Sequence, residues 1–109
     1  MPADFNAVFE SIGKQVAALA AQSFAGYAKS AGKDGVAIVT SMKENLERWT
    51  KQCAAGELSA VDLEDLVKGE KDNLEIKALK QAGISAIELD KFKNGILAIV
   101  TSTICSVIK

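Results

Sequence analysis

The chain has 109 residues, of which 49% are hydrophobic and 25% are charged, a net charge of −1 and no histidine. This length corresponds to one domain with its own core, and the hydrophobic content excludes intrinsic disorder. The nearly balanced charge argues against a general nucleic-acid-binding protein, and the lack of histidine removes the commonest general base and metal ligand.

Apolar residues recur at three- and four-residue steps along most of the chain, which predicts a single all-α domain over residues 1–109. The only proline is Pro2, and the apolar periodicity stops at four glycines, as expected at helix ends: Gly32, Gly56, Gly69 and Gly83. We therefore predict a small bundle of about five helices, three long and two short. It is four-helix-like, with a broken third leg.

The first predicted helix covers residues 4–31. Its apolar residues share one face: Phe5, Val8, Phe9, Ile12, Val16, Leu19 and Tyr27. A row of small residues follows another side of this helix: Gly13, Ala17, Ala21 and Ala25. Because small side chains leave the backbone accessible, this row predicts a surface where another helix can come close.

The second predicted helix covers residues 34–55, with a short heptad-like apolar seam: Val39, Met42, Leu46, Trp49 and Cys53. It contains the run Ala-Ile-Val-Thr-Ser at residues 37–41, which returns at residues 98–102. Such β-branched runs are also typical of strands. The helical spacing and the capping signals around both runs favour helix.

The third predicted helix is short and covers residues 60–68. Ser59 and Asp62 before it resemble a capping box, in which a side chain at each end accepts from the backbone amide of the other. A similar pattern starts at Ser85. We attribute the likeness to the general form of helix starts; an internal duplication is the alternative.

The fourth predicted helix covers residues 73–82, with Asp72 as its N-cap and Glu75 three residues further on. Leu79 and Ile84 occupy the two positions that make the apolar contact of a Schellman ending. The sequence therefore predicts a helix of about three turns that ends at Gly83.

The fifth predicted helix starts at a capping box of Ser85 and Glu88 and continues to the end of the chain. One face is apolar: Leu89, Phe92, Ile96, Ile99, Val100, Thr103 and Val107. The opposite face is small and uncharged: Asn94, Ala98, Thr101, Ser102 and Cys105. A helix without charge for four turns is buried on both sides or meets a partner.

The predicted core combines the apolar faces of these helices. It comprises Phe5, Phe9, Ile12, Val16, Leu19, Val39, Met42, Leu46, Trp49, Leu63, Leu66, Leu79, Leu89, Phe92, Ile96 and Val100.

Charge is distributed unevenly along the chain. Residues 57–75 carry two lysines and seven acidic residues, whereas residues 76–109 carry five lysines and two acidic residues. The acidic segment could dock a basic partner or hold a cation. We interpret it as a solvated surface with acidic residues at helix N-termini, where the helix dipole favours them.

The sequence contains no recognisable catalytic, cofactor or metal site. Serine, tyrosine and the two cysteines lack a histidine to activate them, and the glycines are isolated rather than clustered in a phosphate-binding loop. Cys53 continues the apolar seam at Trp49, which indicates a core position. We therefore predict a protein that is not an enzyme and carries no cofactor or metal.

Two functions remain. The first is a structural or interaction module that binds protein, either itself or another chain, through small residues: Gly13, Ala17, Ala21, Ala25, Ala98, Ser102 and Cys105. The second is association with a membrane surface through the last helix, whose uncharged part lies between Lys93 and Lys109. We favour the first, because a buried central helix explains the same residues without a bilayer. The two cysteines and the absence of a secretory signal predict a cytoplasmic location.

Overall fold

The computed structural model describes residues 5–74 and 76–107, of which about 85% are helical. This part of the chain contains no strand, so the predicted all-α fold is confirmed and both Ala-Ile-Val-Thr-Ser runs are helical. The α-helices are α1 (Phe5–Ser23), α2 (Ala28–Ser41), α3 (Lys43–Ala54), α4 (Ala60–Gly69), α5 (Ala78–Gln81) and α6 (Ala86–Val107). Two 3-10 turns lie at Ala25–Tyr27 and Lys71–Asn73.

The helices pack into an elongated bundle of 43 × 23 × 19 Å. α1 packs against both α2 and α6, α4 packs against α6, and α5 packs against α2. The largest side chains that are fully buried come from every α-helix and from Met42 between α2 and α3: Ile12, Val16, Ile38, Met42, Leu46, Leu63, Val67, Leu79, Ile96, Val100 and Ile104. A continuous core therefore joins all six helices.

The first predicted helix is shorter than expected, because α1 ends at Ser23. Phe24 leaves the helical conformation and its ring packs edge-on against Phe92, with the ring centroids 5.2 Å apart. Burial of this aromatic ring outweighs continuation of the helix. Gly32, which we predicted as the end of the helix, lies inside α2 instead.

The second predicted helix is interrupted at Met42, between α2 and α3. The Ser41 hydroxyl donates to the Ile38 carbonyl over 2.7 Å, and the Met42 amide binds the Val39 carbonyl instead. A side-chain donor that occupies a helical acceptor in this way interrupts or bends the helix.

The third predicted helix is confirmed as α4, which begins with the full capping box. The Asp62 amide donates to Ser59 Oγ and the Ser59 amide donates to Asp62 Oδ2, both over 3.1 Å. The glycine stops before α4 and after α5 are also confirmed. Gly56 and Gly83 have φ values of 79° and 87°, and the backbone bonds around them form Schellman endings.

The fourth predicted helix is wrong over its first half, because α5 begins only at Ala78. Leu74 and Ile76 are both buried, and Leu74 has an extended backbone. Two residues that are two positions apart cannot face the same core from a helix, so burial of both is incompatible with the predicted helix. The predicted capping residue Asp72 lies in a 3-10 turn, and Glu75 lies outside the described residues.

The last predicted helix is confirmed as α6 as far as Val107, and its expected continuation to the end of the chain lies outside the described residues. The Glu88 amide donates to Ser85 Oγ over 3.3 Å. Most predicted core residues are buried, and Phe9, Leu19 and Leu89 are partly buried against the core. Leu66 is the exception, with 39% of its surface exposed. Val67 takes its place, because it lies four residues after Leu63 on the buried side of α4.

Candidate functional site

Asp34 is a buried carboxylate that holds α5 in place. Its Oδ1 accepts hydrogen bonds from the amides of Lys77 (3.2 Å) and Ala78 (3.0 Å), and its Oδ2 accepts from the amide of Leu79 (2.8 Å). These amides lie at the start of a helix, where they have no acceptor within the helix itself. Asp34 therefore caps α5 from a different helix, α2, and fixes the segment around α5 to the bundle.

Two clefts flank α5. The larger has a volume of 620 Å³ and lies between α5 and the start of α6, lined by Leu74, Ile76, Lys77, Lys80, Gln81, Ala86, Leu89, Asp90 and Lys93. The other has a volume of 440 Å³ and lies between α5 and α2, with Asp34 in its wall. The position of both clefts therefore depends on the same carboxylate.

The larger cleft has a positive rim. Three lysines line it, and Asp90 is the only carboxylate among its described lining residues. Lys71 Nζ lies 2.7 Å from Asp90 Oδ1. The hydrogen bond from Lys71, together with the charges of Lys71 and Lys93, lowers the pKa of Asp90 against a smaller opposite effect of desolvation. Asp90 is thus a charged carboxylate that already has a partner.

The small residues predicted on the first helix lie at the surface of the molecule. Gly13 is half-buried, and Ala17 and Ala21 are exposed on α1. Ala25 is exposed in the 3-10 turn that follows α1, so it departs from the line of the predicted row. A methyl group added at Gly13 would meet no atom within 4 Å, so no helix of the bundle packs closely there.

The small residues predicted on the last helix also face outward. Ala98 and Ser102 are exposed on α6, and Cys105 is half-buried. The core side of α6 is formed by large apolar residues four positions apart: Phe92, Ile96, Val100 and Ile104. The helix is therefore buried on one side and presents small, uncharged side chains on the other.

The two longest uncharged stretches of the sequence are residues 15–28 and 94–108. The parts of them that lie in α1 and α6 pack against each other. Gln15 Nε2 donates to Thr103 Oγ1 over 3.0 Å, which links α1 to α6. Leu19 packs against Gly95 further along the same contact. We call the outward sides of these two stretches the α1/α6 face. On α6 it includes Ala98 and Ser102, with the half-buried Cys105, and on α1 it includes the exposed Ala18 and Gln22, which lie three and seven residues after Gln15. The predicted Ala17 and Ala21 lie on the side of α1 that points away from α6, because they stand two residues before and after Leu19.

Two glycines that sequence reasoning missed lie at close contacts between helices. A Cβ atom at Gly35 would lie 2.6 Å from Val16 Cγ1, and one at Gly95 would lie 2.7 Å from Leu19 Cδ2. The absence of a side chain at these positions lets α2 and α6 approach α1. The signal was present in the sequence, since an isolated glycine within a helical pattern often has a packing reason.

The two cysteines are free thiols. Cys53 is buried as predicted, and burial raises its pKa, with smaller contributions from Cys105 and Asp62. A raised pKa keeps the thiol protonated, and the protonated thiol is a poor nucleophile. Cys53 therefore acts as an apolar core residue.

Across the described ranges, no group of three or more cysteine, aspartate or glutamate side chains is arranged to hold a metal ion. None of the helices in those ranges is long and apolar enough to cross a membrane. Comparison with family models, with curated proteins and with solved structures finds no match to this chain.

Proposed function

We propose that this chain is a non-enzymatic interaction module that self-associates through the α1/α6 face. The observation that carries the proposal is that the two uncharged stretches, residues 15–28 and 94–108, lie side by side where they form α1 and α6. A quarter of all residues in the chain are charged, yet these two stretches contain none. Depletion of charged residues is the compositional signal of the centre of a protein interface.

A second copy of the chain is the partner that this face fits best. Two identical charged faces would repel each other, whereas two identical uncharged faces meet without that cost, as a two-fold symmetric dimer requires. The exposed side chains of Ala18, Ala98 and Ser102 are small, so helices from two copies can come close together. The two free thiols are in keeping with a reducing, cytoplasmic location, which we include in the proposal.

Light scattering over a concentration series tests the proposal. We expect the wild-type chain to approach twice its monomer mass as its concentration rises to the millimolar range. Ser102→Arg and Ala18→Arg should keep the chain monomeric, because each places a charge in the face. Ala54→Arg is the matched control, since Ala54 is exposed on α3, and it should dimerise like wild type. A wild-type chain that stays monomeric over the whole series contradicts the proposal.

The alternative function is association with a membrane surface. Binding of this kind requires large apolar side chains on the outer side of a helix. The exposed large apolar residues of the described chain are Tyr27, Val36, Val61, Leu66 and Ile87, whereas the α1/α6 face presents alanine, serine and glutamine. We therefore prefer self-association, and co-sedimentation with anionic vesicles separates the two functions.

A further inference from the structure

The cleft between α5 and the start of α6 has the form of a small-molecule site. Its volume of 620 Å³ falls within the range of about 300–1,000 Å³ that ligand pockets occupy. Leu74 and Ile76 form part of its lining, and both belong to the buried core, so the floor of the cleft is the edge of that core. Because Asp34 fixes the start of α5, the cleft exists before any ligand arrives.

The rim of this cleft has cationic groups available to a ligand. Within the described part of the chain, Lys80 and Lys93 form no ion pair, and the carboxylate of Asp90 is already bound by Lys71. Apart from Leu74, the described lining residues of the cleft lie within residues 76–93, which carry four lysines and two acidic residues. A ligand with a negative group would therefore find two ammonium groups beside an apolar floor.

We propose that this cleft binds a single-chain anionic amphiphile, a long-chain carboxylate. The alkyl chain lies on Leu74, Ile76 and Leu89, and the carboxylate lies at the rim between Lys80 and Lys93. The apolar floor contributes through removal of the chain from water, and the ammonium groups donate charge-assisted hydrogen bonds to the carboxylate. The cleft shares no residue with the α1/α6 face, so this site is independent of self-association.

Titration calorimetry with dodecanoate below its micelle concentration tests the site. We expect saturable binding to the wild-type chain. Lys80→Glu and Lys93→Glu should each weaken binding about tenfold, the equilibrium effect of one lost charge-assisted contact. Lys29→Glu makes the same charge change at an exposed position on α2, and it should bind dodecanoate like wild type.

Two further measurements distinguish the contribution of the ligand's charged group from that of its alkyl chain. Dodecylammonium has the same chain and the opposite charge, and we expect it not to bind. Ala86→Trp fills the cleft from the exposed start of α6 and should abolish dodecanoate binding while the helical circular dichroism is retained. The proposal is overturned if wild type shows no saturable binding, if dodecylammonium binds as well as dodecanoate, or if both Lys-to-Glu variants bind like Lys29→Glu.

Discussion

The starts of α4 and α5 are capped in contrasting ways. At α4, the exposed residues Ser59 and Asp62 exchange two hydrogen bonds across three positions of the sequence. At α5, the buried carboxylate of Asp34 accepts from amides that lie 43 to 45 residues further along the chain. The first cap is a local device, and the second joins two elements of the tertiary structure.

This difference determines what each cap contributes to the molecule. A local cap stabilises one helix by about 1 kcal/mol and leaves the rest of the fold unchanged. α5 has only four residues and cannot be stable by itself, so it exists because Asp34 caps it and because Leu79 is fully buried. Loss of the distant cap therefore affects α5, both flanking clefts and the contact with α2.

The largest effect should come from Asp34→Ala. We expect it to lower the free energy of unfolding by about 3–5 kcal/mol, because it leaves three amides at the start of α5 without their acceptor. Urea denaturation followed by circular dichroism measures this change. Amide hydrogen exchange at Leu79 should also accelerate, because its bond to Asp34 is the shortest of the three.

Two variants bracket that prediction. Asp34→Asn keeps one acceptor oxygen, so it should lose less stability than Asp34→Ala. Asp65→Ala removes an exposed carboxylate from α4 and should change the free energy of unfolding by no more than about 0.5 kcal/mol. If Asp34→Ala and Asp65→Ala unfold at the same urea concentration, Asp34 does not hold α5.

The fold features that sequence reasoning predicted correctly are those with a local cause. The capping box at Ser59, the glycine endings at Gly56 and Gly83 and the long apolar face of α6 all depend on residues within two turns of one another. The fold predictions were wrong where a contact between residues far apart in the sequence determines the local structure. α1 ends before Phe24, whose ring packs against Phe92, a residue far away in the sequence. No local sequence pattern predicts that contact.

The candidate sites follow the same division. The small, uncharged character of Ala98 and Ser102 could be recognised from sequence alone. The position of α1 beside these residues could not be recognised from sequence. It depends on contacts such as the one between Gln15 and Thr103, which lie 88 positions apart. The cleft beside α5 was missed for the same reason, since it depends on the bonds between Asp34 and α5 and on the burial of Leu74 and Ile76.

A pair of glycines in α2 provides a second comparison of local and distant effects. We expect Gly35→Ala to destabilise the protein by about 1–2 kcal/mol, because its Cβ would lie 2.6 Å from Cγ1 of the buried Val16. Valine is restricted in its side-chain rotation, so Val16 cannot easily move away. Urea denaturation measures the change.

Gly32→Ala is the matched control in the same helix. A methyl group there meets no atom within 4 Å, so only the local helix propensity changes. We expect Gly32→Ala to stabilise the protein by about 0.5–1 kcal/mol. Equal effects at the two glycines would mean that α2 does not approach α1 closely at Gly35.

The smallest effects should come from the local caps themselves. We expect Ser59→Ala to cost about 1 kcal/mol, because it removes the acceptor of the Asp62 amide. Ser85→Ala should cost about 0.5 kcal/mol, at the low end of the range for caps. Its bond from the Glu88 amide is longer, at 3.3 Å, and the Glu88 carboxylate lies 3.9 Å from Lys91 Nζ. Both serines are exposed, so urea denaturation compares them without a change in core packing. If Ser59→Ala lowers the free energy of unfolding as much as Asp34→Ala does, then burial and separation in the sequence do not distinguish the two kinds of cap.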